Sequence, residues 1–291
     1  MTPYVADPVY LNGRFLPLAE ASISPLDRGF LYGDGVYEVI PVYSRRTFRI
    51  DEHIQRLQAT LDGIKLANPL TADGWKAVVL KLIETAPWDD QSIYLQVTRG
   101  ADNKRDHAFP PASVPPTAFA FASPLVTTSA EVRAKGVAAI TVADQRWARC
   151  DLKVISLLAN VLARQQAVEQ GCAEALLIRD GCMKEGAASN IFIVKDGVLL
   201  APPKTQLILP GITYDVIIEL AQSKSLPLEV REITENELRA ADEVWMTSST
   251  KEILAITTLD GEPVGTGQPG PLGEQMWQWY QDFKNTVMRK G

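Results

Sequence analysis

The chain has 291 residues, is 46% hydrophobic and carries a net charge of −6. That length and apolar content can bury a sizeable core and predict two domains, while the acidic balance argues against nucleic acid as a partner. No run approaches the roughly 18 apolar residues of a membrane span, and the amino-terminal MTPYVADPVYLNGRF lacks the basic and apolar regions of a secretion signal.

In chain order, Val9–Leu11 and Arg14–Leu16 flank Asn12-Gly13, the strongest short hairpin signal. Val36–Val42 alternates, and Thr47–Ile50 after a polar turn predicts a second hairpin. Asp51 can cap a helix on which Ile54, Leu57, Leu61 and Ile64 keep a helical rhythm. A helix around Trp75–Glu84 and a strand at Ile93–Thr98 follow. The polar, proline-rich segment Gly100–Pro116 is a long loop, and loops of that length are more often functional or disordered than idle. Thr117–Ala122 reads as a strand. The expected domains are therefore an α+β domain over 1–122, a linker over 123–129 and a larger domain over 130–291. The second domain opens with a strand at Val137–Val142. Leu157, Leu158, Val161, Leu162 and Val168 mark an amphipathic helix ending at Gly171. A meander of Ala175–Ile178, Asn190–Val194 and Val198–Ala201 turns at Asp180-Gly181 and Asp196-Gly197. Gly211-Ile212-Thr213 starts a helix through Leu220, Glu243–Thr247 is a strand, and MWQWYQDFKNTVM closes the chain as a helix.

The chemistry is concentrated in a few residues. Three cysteines without C-x-x-C spacing read as reduced thiols of a cytoplasmic enzyme. With only His53 and His107 available, a histidine metal site or a Ser-His-Asp triad is not expected. Lys153 leads directly into an apolar run. It is either a snorkelling side chain or a desolvated amine suited to a Schiff base. LPGITYDV places Gly211, Ile212 and Thr213 where a loop enters a helix, an arrangement able to hold an anion, and MTSSTKEI repeats it with Ser249 and Thr250. Glu185 lies in a run of small residues, with Lys184 its nearest expected partner. It is either a solvated turn residue or a carboxylate touching a flat ligand. Taken alone, Arg56 is a solvated helix arginine and His53 is structural. A lysine, an arginine, two anion cradles and an isolated glutamate together match what pyridoxal phosphate requires.

The ordered set DRGFLYGDGVYEV, HIQRL, RCDLK, EGAASNIF, LPGIT and TSSTKEI resembles the fold-type IV enzymes dependent on pyridoxal phosphate (PLP), and within them the D-amino-acid aminotransferases. The resemblance runs from about Tyr10 to about Asp260. It implies a two-domain α+β fold with the cofactor between the domains, a homodimer, and transamination between D-amino acids and 2-oxo acids. It also implies roles. Lys153 would form the Schiff base and carry the proton, and Glu185 would bind the ring nitrogen. Arg56, Ile212, Thr213, Ser249 and Thr250 would hold the phosphate, with Leu209 packed on the ring. Tyr37, Arg105 and His107 would bind the substrate carboxylate, with Arg146 nearby. The chain departs from the resemblance at Ala187 and Ala188, where serines are often found, at Lys184, and in a loop before His107 one residue longer. Branched-chain L-aminotransferases, (R)-amine transaminases and aminodeoxychorismate lyases share the lysine and the glutamate. The basic Arg105-Asp106-His107 loop separates this chain from the L-aminotransferases and lyases, and intact Lys153 and Glu185 weigh against a non-catalytic PLP-binding protein.

Overall fold

Asn12 and Gly13 both take the left-handed conformation, with φ of 46° and 87°, and the turn they make pairs Val9 with Leu16. The computed structural model describes residues 4–290, so residues 1–3 and 291 at the ends of the expected domains lie outside it. Two compact units emerge. The first comprises the chain up to Leu125, the segment Leu152–Leu157 and the chain from Val287 on; the second comprises Val126–Asp151 and Leu158–Thr286.

The first unit holds β1 (Val9–Leu11), β2 (Arg14–Leu16), α1 (Arg28–Tyr32), β3 (Gly35–Tyr43), β4 (Arg46–Thr47), α2 (Ile50–Gly63), α3 (Ala72–Thr85), β5 (Gln91–Thr98) and β6 (Thr117–Pro124). Its sheet runs in the order β2-β1-β6-β5-β3-β4, and β3 is antiparallel to β5 over eight residue pairs. Val36, Ile40 and Val42 on one face of β3 pack with Leu57 and Leu61 of α2 and Trp75 and Leu82 of α3. The second hairpin is shorter than the sequence predicts, because Ile50 already belongs to α2. Asp51 is not the cap either. Arg49, at a φ of 51°, holds that position, while Asp51 sits in the first turn and pairs with Lys76 at 2.5 Å.

The second unit holds α4 (Ala130–Lys135), β7 (Val137–Ala143), α5 (Leu158–Glu169), β8 (Glu174–Arg179), β9 (Cys182–Gly186), β10 (Asn190–Lys195), β11 (Val198–Ala201), α6 (Ile212–Ser223), β12 (Leu228–Val230), β13 (Ile233–Thr234), α7 (Glu235–Arg239), β14 (Glu243–Ser248), β15 (Glu252–Leu259), β16 (Glu262–Pro263) and α8 (Pro271–Phe283). The sheet order is β12-β11-β10-β14-β15-β7-β8-β9-β13, with β16 on β15. Asp180-Gly181 and Asp196-Gly197 make their hairpin turns with positive φ at both residues.

Three sequence expectations change here. Of the two readings left open for Glu185, the solvated turn residue falls away: Cys182–Gly186 is a strand paired with β8 and β13, and Glu185 is a buried strand residue. The apolar stripe of α5 faces outward: Leu158 is 71% exposed and Val161 58%, whereas Ala163 and Ala167 are buried against Ala175 and Leu177. Small side chains on the inner face let this helix lie close to the sheet, which large ones would prevent. Finally, Leu152–Leu157 belongs with the first unit rather than the second. The Tyr37 N–H donates to the Lys153 carbonyl at 3.0 Å and the Ile155 N–H to the Gly35 carbonyl at 3.0 Å, so the segment runs along β3.

Candidate active site

In the first unit, β3 sets the chemistry by alternation. Val36, Glu38, Ile40 and Val42 share the face that α2 covers, so a carboxylate is forced into an apolar layer. Glu38 is fully buried. Its partners come from α2, where spacing i, i+3 puts His53 and Arg56 on one face. Arg56 Nε and Nη2 donate to Glu38 Oε1 and Oε2 at 2.7 and 2.9 Å, and His53 Nδ1 lies 2.9 Å from Oε2. Burial pushes the Glu38 carboxyl up, but Arg56 and His53 overcome it and hold the group well below the usual carboxylate range. Burial also lowers the His53 pKa despite Glu38, so the ring is neutral with its proton on Nδ1. Its buried Nε2 has no hydrogen-bond partner among the described residues. Arg56 is therefore an ion-paired, oriented guanidinium rather than a solvated one. The sequence reading did not single out Glu38, although its signal was present: it interrupts the core-facing alternation at Val36, Ile40 and Val42.

Tyr37 faces the other way. Its ring stacks on Tyr94 at 5.8 Å, and Lys153 Nζ lies 4.1 Å from its centroid. Buried Leu152 and Val154 flank a half-buried Lys153, so the lysine side chain leaves the extended segment away from the core its neighbours enter. Arg105 and His107 do come together, but at a residue the sequence reading did not name. The Arg105 guanidinium is 5.3 Å and the His107 ring 5.4 Å from the ring of Tyr32, whose hydroxyl is buried without a hydrogen-bond partner among the described residues.

In the second unit, Lys184 and Glu185 leave β9 on opposite faces. Lys184 pairs with Glu232 at 2.6 Å, so it is not the partner of Glu185. That partner is Arg146, which donates through Nη1 to Glu185 Oε1 and through Nε and Nη2 to Asp144 at 2.9 and 3.0 Å. All three guanidinium nitrogens are engaged, and Nη2 also reaches the Leu207 carbonyl at 3.2 Å. Arg146, expected near the substrate carboxylate, thus spends its donors on two buried carboxylates of the protein itself. The Leu209 N–H donates to both Glu185 oxygens at 3.1 and 3.2 Å, and Asn190 Nδ2 bridges Oε2 and the Leu209 carbonyl. Burial pushes the Glu185 carboxyl up to about 7, against the pull of Arg146 and the Leu209 N–H.

The small residues around Glu185 are shaped by the protein itself. A Cβ on Gly186 would meet Ser189 Oγ at 2.3 Å, where Ser189 donates to Glu174 at 2.8 Å. Ala187 is buried beneath α5, and Ala188 is exposed. Gly211 likewise makes room for Asn190, whose Oδ1 would lie 2.0 Å from an added Cβ. Gly211 caps α6 without a side-chain hydrogen bond, and the helix presents the N–H groups of Ile212 and Thr213 first. Ser249 and Thr250 lie in a tight turn into β15, not at a helix start.

The donor set can be tested against pyridoxal phosphate. That cofactor needs a primary amine, a buried carboxylate for its ring nitrogen, and cationic and N–H donors for its phosphate. Lys153, Glu185, the oriented Arg56 and the uncapped start of α6 supply those chemistries, so the residues fit the group. Residues 35–259 match the amino-transferase class IV family, and the chain belongs to that family. It is similar to a D-alanine aminotransferase of Bacillus licheniformis, 40% identical over 91% of this chain and 92% of that protein. One of Listeria innocua is 38% identical over 94% of each. Its fold is similar to a branched-chain amino acid aminotransferase of Escherichia coli (TM-score 0.89, 27% identity, 95% of this chain and 94% of that one). A branched-chain amino acid aminotransferase of Thermoproteus uzoniensis, solved with norvaline, is similar too (TM-score 0.84, 28% identity, 96% and 94% covered). Another branched-chain enzyme of this fold was solved with pyridoxamine 5'-phosphate (TM-score 0.87, 28% identity, 95% and 93% covered).

Proposed function

We propose that the chain transfers the amino group between D-amino acids, of the D-alanine and D-glutamate type, and 2-oxo acids such as 2-oxoglutarate, with pyridoxal phosphate as cofactor. The observation that carries this reading is Glu185. It is a carboxylate removed from solvent, with both oxygens fixed by N–H donors, which a solvated turn residue has no need of. When bound, pyridoxal phosphate supplies the electron sink that makes a substrate Cα–H acidic. Glu185 holds the proton at the ring nitrogen, and Arg146 and the Leu209 N–H hold Glu185. Lys153 Nζ holds the cofactor and carries the proton taken from Cα. Arg56, Ile212, Thr213, Ser249 and Thr250 are assigned to the phosphate, and Leu209 to the ring face. Tyr37, Arg105 and His107 are assigned to the substrate carboxylate. Relatives that share most of the chain and are named D-alanine aminotransferases support the D-handedness. A homodimer is part of the reading, supported by the exposed Leu158, Val161 and Leu162 on α5, an apolar face of the kind that seeks a partner. A cytoplasmic setting is also part of it, supported by three free cysteines. Among the described residues no helix is long and apolar enough to cross a membrane.

The test pairs substrates and a variant. With 2-oxoglutarate as acceptor, D-alanine turns over and L-leucine barely does. Arg105→Ala raises the KM for D-alanine by roughly 10-fold or more, as loss of a charge-assisted hydrogen bond to the substrate carboxylate costs about 1.5–3 kcal/mol. Faster turnover of L-leucine than of any D-amino acid, or an Arg105→Ala variant with wild-type kinetics, contradicts the reading.

A further inference from the structure

Arg28 opens α1 and is buried, yet its guanidinium is spent on a loop nearly eighty residues away. Nη1 donates to the carbonyls of Asp106 at 2.6 Å and Ala108 at 3.2 Å, and Nη2 donates to the carbonyl of His107 at 3.3 Å. Three consecutive carbonyls of the long loop thus converge on one side chain. Nε is held in turn by Asp34 at 2.8 Å. Asp34 is shared with Arg99, which donates to it from Nε and Nη2 at 2.9–3.1 Å and to the carbonyls of Ile64 and Lys65 at 2.8 Å. Arg99 also lies 3.9 Å from the ring of Phe109, on the same loop. Burial works against the Asp34 charge, but hydrogen bonds from Arg99 and Arg28 outweigh it and hold the carboxyl below its usual range, so the bridge is ionised at neutral pH. Arg28 lies 4.8 Å from the ring of Tyr32, the ring that Arg105 and His107 also approach.

We propose that Arg28 is a positioning residue for substrate binding: by holding the Asp106–Ala108 carbonyls it fixes the directions in which Arg105 and His107 leave the loop. Only a planar guanidinium can serve three carbonyls and a carboxylate at once; an ammonium is a point donor that cannot span them. Arg28 itself touches no substrate. The proposal rests on the reading that Arg105 and His107 hold the substrate carboxylate.

Arg28→Lys keeps a cation beside Asp34 while removing the fork. Two readouts apply to the cofactor-loaded enzyme. The first is tryptic cleavage after Lys104 and Arg105, in the exposed part of the loop. The second is steady-state kinetics with D-alanine. Arg28→Lys is expected to be cut there at least 10-fold faster than wild type, with other tryptic sites unchanged. The KM for D-alanine is expected to rise about 10-fold while kcat stays within about twofold. Should that variant fail to accumulate, Asp34→Asn, which keeps both arginines and loosens the hold on Arg28 Nε, gives the same pattern at smaller amplitude. Unchanged cleavage overturns the anchoring role of Arg28. Faster cleavage with an unchanged KM supports the anchor and overturns its link to substrate binding; Arg105→Ala run beside it then shows whether the carboxylate assignment itself has failed.

Discussion

Lys153→Ala yields a folded protein whose transamination of D-alanine is slower by at least about 10^3-fold, in line with loss of both the covalent attachment and the general base. The fold is expected to survive, because the backbone of Lys153 rather than its side chain is tied into the first unit. The Lys153 carbonyl accepts from the Tyr37 N–H at 3.0 Å, and its own N–H reaches Thr60 Oγ1 at 3.4 Å. The side chain contributes a contact over the Tyr37 ring, which a stable domain can lose. Borohydride reduction of the wild type followed by peptide mapping places the phosphopyridoxyl label on the peptide containing Lys153. A label on another lysine, or an active Lys153→Ala variant, contradicts the assignment.

Glu185→Gln separates chemistry from scaffolding. Arg146 keeps its two bonds to Asp144 in this variant, so no buried guanidinium is left unpaired and the second unit stays folded. What is lost is a charge-assisted hydrogen bond to the ring nitrogen, and kcat falls roughly 10- to 150-fold for a loss of about 1.5–3 kcal/mol. Cofactor affinity falls with it. A second signature appears without cofactor. Glu185 has its carboxyl raised from 4.5 in the unfolded chain to about 7 in the fold. A raised group contributes its stability below the unfolded value and loses it as the pH climbs through the folded one. The stability of the wild-type apoprotein relative to Glu185→Gln therefore falls between about pH 4.5 and 8, by roughly 3 kcal/mol. Urea titrations of both proteins across that range read the difference. A gap independent of pH contradicts the protonation assigned to Glu185, and unchanged kcat returns the residue to a structural role.

Residues whose chemistry follows from type and local order were legible in the sequence. Asn12-Gly13, Asp180-Gly181 and Asp196-Gly197 announced their turns because only a few residues tolerate positive φ in succession. Lys153 and Glu185 stood out because a charged residue beside an apolar run needs a reason. What stayed hidden depends on pairing across long sequence distances. That Leu152–Leu157 runs along β3 is a tertiary fact with no local signature. Arg146 belongs to Glu185 because β7 and β9 flank β8 in the sheet, an order the sequence does not spell out. The apolar stripe of α5 misled for a related reason: periodicity reports that a helix has an apolar face, not which neighbour covers it. Glu38 could have been found. Its place on the core face of β3, with His53 and Arg56 at i, i+3 on the next helix, is written in two short stretches.

In the proposed reaction the Cα–H of one enantiomer meets the base. Incubating the cofactor-loaded enzyme in deuterium oxide with D-alanine or L-alanine, and following the Cα–H signal by proton NMR, reads that event without a coupled assay. Deuterium entering D-alanine, with little entering L-alanine over the same time and none in Lys153→Ala, is the expected result. Exchange into L-alanine as fast as into D-alanine, or no exchange into D-alanine at all, contradicts it.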